Sequence, residues 1–77
     1  MYVEQRAFTR IENRRYVLRA EKDGERRGFA VEVIRDANPY DTIEEYQGFA
    51  DYLTAQAVYL MLVRTAMHHS GADMPIH

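Results

Sequence analysis

Residues 42–69 read TIEEYQGFADYLTAQAVYLMLVRTAMHH, and this stretch predicts one long α-helix around which the rest of the chain is arranged. Thr42 and Glu45 have the capping-box spacing, in which each side chain accepts the backbone N–H of the other residue at the start of a helix. Glu44 and Glu45 also place negative charge where the helix dipole favours it. We therefore predict that the helix begins at about residue 43.

The end of this helix has signals of its own. His68 and His69 are potential cations in the last turn, where the helix dipole favours positive charge. Gly71 can adopt the left-handed conformation of a C-cap, and Pro75 prevents the helix from resuming. We predict that the helix ends at about His69 and that residues 70–77 form a frayed tail.

The predicted helix has apolar residues on two opposite faces. At about 100° per residue, one stripe is the face expected to cover a sheet: Tyr46, Phe49, Ala50, Leu53, Ala57, Leu60 and Met67. The second stripe has the spacing of a seam between packed helices, and it predicts a homodimer through the long helix with these self-association residues: Tyr52, Ala55, Tyr59, Leu62, Val63 and Ala66. The alternative is that the second stripe is simply an exposed surface, where Tyr and Ala are tolerated.

Length and composition narrow the classes of protein that this chain can form. Its 77 residues allow one domain, and a chain this short buries a small fraction of its surface, for which oligomerisation is a common remedy. The absence of cysteine removes disulfide and thiol chemistry. The longest apolar run, residues 57–63, is too short to cross a bilayer, so we predict a soluble, cytoplasmic protein.

The formal net charge of −2 is unevenly distributed. Residues 1–36 hold nine basic and seven acidic side chains, which gives +2, whereas residues 37–77 hold one basic and five acidic side chains, which gives −4. Such asymmetry can indicate a half that binds a polyanion, and more commonly it reflects arginine–glutamate pairs across exposed strands.

Two runs of β-branched and aromatic residues, 15–21 and 27–35, predict two strands before the helix. Asp23-Gly24 between them is a strong hairpin signal. Alternation identifies the side chains that should face the helix as Tyr16, Leu18 and Ala20 on the first of these strands and Phe29, Val31 and Val33 on the second. The two runs therefore predict an antiparallel pair with one buried face.

Residues 3–11 predict a further strand, although alternation leaves its inward face undecided. The candidate faces are Arg6, Phe8 and Arg10, or Ala7, Thr9 and Ile11, and a β-bulge would change the assignment. Residues 36–41, with Asn38-Pro39, form the loop that leads to the helix. The predicted architecture is α+β, a single domain in which a three-stranded antiparallel meander (β-β-β-α) is covered by one long C-terminal helix.

The sequence offers no catalytic, metal or cofactor motif. Adjacent His68 and His69 diverge by about 100° on a helix and cannot chelate one ion. Ser70 is the only serine and has no nucleophile elbow around it, and the four glycines are too scattered for a phosphate loop. We therefore predict that the protein is not an enzyme and binds no metal or cofactor.

Arginine is prominent on the outer face predicted for the sheet, and we expect partner contacts at Arg6, Arg10, Arg15, Arg19, Arg26 and Arg27. The planar fork of arginine matches phosphate geometry, so nucleic-acid binding is one interpretation. Acidic side chains are interspersed in the same strands, and the pI of about 5.9 is far below that of a basic nucleic-acid footprint.

A protein-binding role is the interpretation that we favour. Arg and Tyr are enriched in binding hot spots, and six Tyr occur in this short chain. A compact chain without catalytic motifs fits a regulator or inhibitor that acts by steric occlusion of a partner, like the small inhibitors of host machinery that phages and mobile elements encode, anti-CRISPR proteins among them. We therefore predict a non-enzymatic homodimer that binds a protein partner, with nucleic-acid binding through the arginine face as the alternative.

Overall fold

The computed structural model describes residues 2–37 and 40–70. The protein has an α+β fold in which an antiparallel sheet of four strands is followed by one C-terminal helix. The elements are β1 (Tyr2–Ile11), β2 (Arg14–Asp23), β3 (Arg26–Arg35), β4 (Thr42–Phe49) and α1 (Tyr52–Ser70). The strand order β1-β2-β3-β4 makes the sheet a simple meander. The predicted α+β class is confirmed, and the predicted number of strands is one too few.

The additional strand, β4, lies within the stretch for which the capping-box spacing predicts a helix, and it pairs antiparallel with β3. The prediction of helix over residues 43–51 is wrong for three physical reasons. Side chains such as Thr42 and Ile43 favour a strand, and Gly48 weakens a helix by about 1 kcal/mol relative to Ala. Pairing with β3 also satisfies backbone groups that would otherwise be unpaired at the edge of the sheet.

The helix begins at Tyr52, and Asp51 is its N-cap. The Asp51 Oδ2 atom accepts hydrogen bonds from the Thr54 backbone N–H at 2.9 Å and from the Thr54 hydroxyl at 3.0 Å. The Asp51 carbonyl accepts the first helical bond from the Ala55 N–H at 3.1 Å. Because Asp is among the best N-cap residues, the signal that starts the helix lies here and not in the Thr42–Glu45 box.

The turns at the two ends of β2 both contain a residue in the left-handed region. Gly24 has a φ of 65°, which glycine adopts without strain, and the Asp23-Gly24 hairpin signal is confirmed. Glu12, in the turn between β1 and β2, has a φ of 55°, which is uncommon for a residue other than glycine. The Asp36 N–H donates to the Asn13 carbonyl at 2.7 Å and ties this turn to the end of β3.

The hydrophobic core lies between α1 and one face of the sheet. Its buried residues are Ile11, Tyr16, Leu18, Val31, Val33, Ala55, Tyr59 and Val63. The predicted inward positions on β2 and β3 are confirmed for the residues of this cluster and for Phe29, which packs against it. The register places Ala20 opposite Phe29, at the margin of the core, and the Phe29 ring meets the Tyr52 ring edge-on at 5.3 Å.

A β-bulge decides the inward face of β1. The register with β2 shifts between Gln5 and Ala7. Beyond this shift Ala7 and Ile11 pack with the core, and the Thr9 hydroxyl meets the Tyr59 hydroxyl at 2.7 Å. Of the two faces that alternation leaves open, the one that contains these β1 residues is therefore the inward face.

The stripe of the helix that packs against the sheet is not the one predicted to do so. The stripe assigned to self-association packs against the sheet of its own chain: Ala55, Tyr59 and Val63 are buried there, and Leu62 and Ala66 pack beside them. The stripe expected to cover the sheet is mostly exposed, at Leu53, Ala57 and Leu60, although Met67 packs against the core. The residues predicted to form a seam with a second chain are therefore, for the most part, packed in the core of their own chain.

The position at which the helix starts explains why the second stripe, and not the first, packs against the sheet. Because Tyr46 and Phe49 belong to β4, the first stripe loses its two aromatic residues. The second stripe combines the small side chain of Ala55, which allows the sheet to approach, with the ring of Tyr59. The Tyr59 hydroxyl has a hydrogen-bond partner, Thr9, on the inward side, so this orientation leaves no buried polar atom unpaired on the Tyr59 side chain.

Two predicted features lie outside the described residues, namely the Asn38-Pro39 pair in the loop between β3 and β4 and the tail over 71–77. The described helix ends at Ser70, and His68 and His69 lie in its last turn as predicted. In the part of the chain that the structure describes, no helix has the length and apolar character needed to cross a membrane.

Candidate functional site

The side of α1 that faces away from the sheet is an exposed apolar surface. Leu53, Ala57, Leu60 and Met61 recur there at helical spacing, and we call them the outward face. Leu53 is 69 % exposed, Met61 57 % and Leu60 43 %. Arg64 is the only Asp, Glu, Lys or Arg side chain in α1. A helix that is apolar on two sides needs cover on both, so the outward face is a candidate binding surface.

The second candidate surface is the side of the sheet opposite α1, which we call the open face. Its centre holds an ion-pair cluster on Arg19, whose guanidinium donates to Glu32 at 2.6 Å and to Glu21 at 2.9 Å. The same guanidinium lies 5.6 Å from the centre of the Tyr46 ring, and the Tyr46 hydroxyl donates to Glu21 at 2.9 Å. Burial lowers the pKa of Arg19, whereas the charge of Glu32 and the hydrogen bonds raise it, and the net result is a raised pKa.

The open face is partly sealed by its own side chains. Val17, Ala30 and Glu32 are buried there, although α1 lies on the other side of the sheet. Only 4 % of Glu32 is exposed. A buried carboxylate is unfavourable unless it is paired, so the contact with Arg19 fixes the arrangement of side chains at the centre of this face.

A second ion-pair cluster lies at the end of the open face near the β3–β4 loop. The Arg15 Nε atom donates to Asp36 at 2.9 Å, and the other side of the Arg15 guanidinium pairs with Asp41. Arg10 pairs with the remaining carboxylate oxygen of Asp36. The two clusters together match three arginines with four carboxylates, so the open face is rich in charge without being basic.

The other arginines predicted to contact a partner lie away from these clusters. Arg6 is at the bulge of β1 and pairs with Glu4 at 3.2 Å. Arg26 and Arg27 begin β3, at the opposite end of the sheet from the Asp36 cluster. The six predicted arginines are therefore spread over the sheet and do not form one continuous site.

A groove opens between the C-terminal half of α1 and the end of the sheet that contains the β1–β2 turn. Its volume is about 470 Å³. Its lining combines apolar side chains, among them Ile11, Val33 and Leu62, with a polar rim that includes Glu12, Arg14, Glu44 and Glu45. The hydrogen bond from the Arg14 Nε atom to Glu44, at 2.5 Å, lowers the pKa of Glu44 below its ordinary value.

The outward face and the groove contain residues that sequence analysis does not assign to a binding site. For the outward face the sequence does contain a signal, because Asp51 and Thr54 have the spacing of an N-cap. A helix that starts there begins nine residues later than one capped by Thr42. It no longer includes Tyr46 and Phe49, the aromatic residues that make the stripe of Leu53 and Leu60 look buried. For the groove no local signal exists, because its lining comes from separate strands, a turn and the helix.

Within residues 2–37 and 40–70, no three side chains of the metal-binding types are grouped so that they could hold an ion. Comparison with protein-family models, with curated proteins and with solved structures finds no significant match. The outward face, the open face and the groove are the candidate sites that we consider in the described part of the chain.

Proposed function

We propose that this chain is a non-enzymatic homodimer that acts through protein contacts, as a regulator or inhibitor that occludes the surface of a partner. The observation that supports this proposal most strongly is the outward face of α1, where large apolar side chains are exposed around Ala57. Such a stripe is unfavourable in water and is typical of a protein interface. A chain of 77 residues also gains stability when a second copy adds to its small core.

The proposed dimer packs two α1 helices antiparallel, with their crossing at Ala57. Ala57 is the small residue of the outward face, and the large residues lie one turn to either side of it, so two such faces can interdigitate. Arg64 lies seven residues after Ala57, on the same face and about 10.5 Å along the helix axis. A parallel crossing brings the two Arg64 side chains together, whereas an antiparallel crossing separates these like charges.

The proposed site for the partner is the open face, which this dimer presents on both of its outer surfaces. Besides the two ion-pair clusters, the open face exposes the large apolar side chains Phe8, Ile43 and Tyr46. Such a mixture of charge and apolar area suits a protein surface. Nucleic acid is the weaker candidate, because a face with more carboxylates than arginines does not match a uniformly negative phosphate backbone.

Light scattering after size exclusion tests the dimer and the class of partner. The protein is measured alone and with a short duplex DNA, at about 50 and about 200 mM salt. We expect a mass of twice the 9.1 kDa of one chain and no change with DNA. A monomeric mass would contradict the homodimer, and a salt-sensitive shift with DNA would identify the arginines as a nucleic-acid site instead.

Cysteine cross-linking tests the orientation of the helices, because the chain has no cysteine of its own. In the antiparallel arrangement position 53 of one copy lies opposite position 61 of the other, within reach of a disulfide. We expect Leu53→Cys and Met61→Cys to cross-link to each other when mixed and each to cross-link poorly to itself. The opposite pattern would contradict the antiparallel crossing, and Glu25→Cys, in the exposed β2–β3 turn, controls for random collision.

A further inference from the structure

Tyr16 is a buried polar residue in the lining of the groove. It is 8 % exposed, and its hydroxyl forms no hydrogen bond within the residues that the structure describes. Burial raises the pKa of Tyr16, the charge of Arg14 opposes this rise, and the carboxylates of the rim add to it. The hydroxyl is not among the fully buried polar atoms, so water in the groove reaches it, and a ligand that enters can replace that water with a hydrogen bond of its own.

The rim of the groove carries negative charge that the chain itself does not balance. Glu44 is paired with Arg14 at 2.5 Å and, at the longer distance of 3.8 Å, with Arg35, so these two arginines offset part of the acidic charge of the rim. Glu12 and Glu45 line the same groove and form no ion pair in the described part of the chain. The remaining titratable side chain of the lining is His69, in the last turn of α1. Two carboxylates are therefore available to a cation that enters the groove.

Glu12 holds its place at the rim in a strained backbone conformation. Its φ of 55° lies in the left-handed region, where glycine and asparagine are the residues usually found. Strain of this kind in a turn is common at binding sites, where a side chain is kept for its chemistry rather than for its backbone preference. For Glu12 that chemistry is a carboxylate at the mouth of the groove.

We propose that the groove, which lies on the α1 side of the sheet and is therefore a site separate from the open face, binds an arginine side chain of a protein ligand. The guanidinium donates to the Glu12 and Glu45 carboxylates and to the Tyr16 hydroxyl oxygen, and the aliphatic stem packs on the apolar lining. Arginine fits better than lysine, because its planar fork can donate to several acceptors at once while its stem is buried. This inference rests on the proposed function, since it takes the ligand to be part of a protein.

A pair of capped tripeptides tests the charge requirement. The probe is acetyl-Leu-Arg-Leu-amide, and its control is the same peptide with citrulline, which has nearly the same shape without the charge. We expect saturable binding of the arginine peptide in an NMR titration, with shifts confined to the groove, and binding of the citrulline peptide weaker by about tenfold. Equal binding of the two peptides, or no saturable binding of the arginine peptide, would overturn the inference.

Substitutions in the lining test the residues assigned to it. Glu45→Gln and Tyr16→Phe remove one acceptor each while preserving side-chain size, and we expect each to weaken binding of the arginine peptide several-fold. Glu25→Gln is the matched control, because Glu25 is an exposed carboxylate at the opposite end of the sheet. If Glu25→Gln weakens binding as much as Glu45→Gln does, the attraction is general electrostatics and the assigned site is wrong.

Glu12→Asn separates binding from folding. Asparagine tolerates the left-handed conformation better than glutamate, so we expect this variant to unfold at a higher temperature and to bind the arginine peptide more weakly. Weaker binding together with lower stability would indicate that Glu12 has only a structural role.

Light scattering on the same samples distinguishes this inference from the proposed function. A dimer that ignores the arginine peptide would remove the groove as an arginine site and leave the proposed function in place. A monomer that binds the arginine peptide and not the citrulline peptide would remove the homodimer and retain the groove.

Discussion

The inward and outward faces of α1 are both apolar, yet only the inward face is buried within the chain. Tyr59 is sealed in the core and shares a hydrogen bond with Thr9, whereas Met61, two residues later, is more than half exposed. Hydrophobicity alone does not distinguish these faces. The inward face combines a small residue, Ala55, with a ring whose hydroxyl has a partner on the sheet, and the outward face carries flexible apolar side chains that need none.

We expect the largest loss of stability from a substitution on the inward face. Tyr59→Ala removes a buried ring and its hydrogen bond, so we expect the free energy of unfolding to fall by about 3–5 kcal/mol. Leu53→Ala is the matched change on the outward face, and we expect a loss of about 0.5 kcal/mol or less within one protomer. Urea unfolding in a Met61→Glu background compares the two sites without the dimer, and equal losses would mean that the faces are wrongly assigned.

The second expected loss of stability is at Asp51, where the helix starts and which therefore determines which side chains lie on each face. Asp51→Ala removes the N-cap of α1, and we expect a loss of about 1 kcal/mol in the free energy of unfolding. Thr42→Ala is the control, because the capping-box interpretation makes Thr42 the cap, whereas the structure places it in β4. If thermal unfolding shows a larger loss for Thr42→Ala with reduced helix content, the helix begins earlier than the structure has it.

A subtler change isolates the polar contact of the inward face. Tyr59→Phe keeps the ring and removes only the hydrogen bond to Thr9, so we expect a loss of about 0.5–1.5 kcal/mol. A double-mutant cycle with Thr9→Val measures the coupling between the two side chains. Strictly additive losses would show that the hydroxyl contact does not help to choose the inward face.

The smallest effect is a pH dependence in β4, the segment that the capping-box interpretation assigns to the helix. Hydrogen bonding to Arg14 lowers the pKa of Glu44 below its ordinary value of 4.5. The ion pair therefore contributes to stability above that pH, and the contribution is lost as the pH falls through the lowered value. We expect Glu44→Gln to be less stable than the natural chain at about pH 7 and equally stable at about pH 2. A difference in stability between Glu44→Gln and the natural chain that grows as the pH falls would contradict this pH dependence.

The β2–β3 hairpin and its inward side chains could be predicted because the signals are local. The Asp23-Gly24 turn and the alternation of apolar residues act over a few positions, and no competing pattern overlaps them. The second half of α1 could be predicted equally well, since its apolar spacing continues without interruption to the two histidines before Ser70.

Residues 42–49 could not be assigned in the same way, because two local patterns compete there. The Thr42–Glu45 spacing suits a helix cap, and the neighbouring β-branched and aromatic residues suit a strand. Pairing with β3 decides between them, and the paired residues are 7 (Arg35 with Thr42) to 20 (Phe29 with Phe49) positions apart in the sequence. Once β4 is removed from the helix, the stripe that looked inward loses Tyr46 and Phe49, so one non-local contact changes the face of α1 that is buried. The groove depends on contacts of the same kind.

The mass of two matched variants in solution tests most directly whether the outward face is the interface. Met61 and Ile43 are 57 % and 58 % exposed, but they lie on the outward face and on the open face respectively. We expect Met61→Glu to be a folded monomer of 9.1 kDa and Ile43→Glu to remain a dimer, as judged by light scattering with circular dichroism as the check on folding. A Met61→Glu variant that has the mass of two chains would contradict the proposed interface.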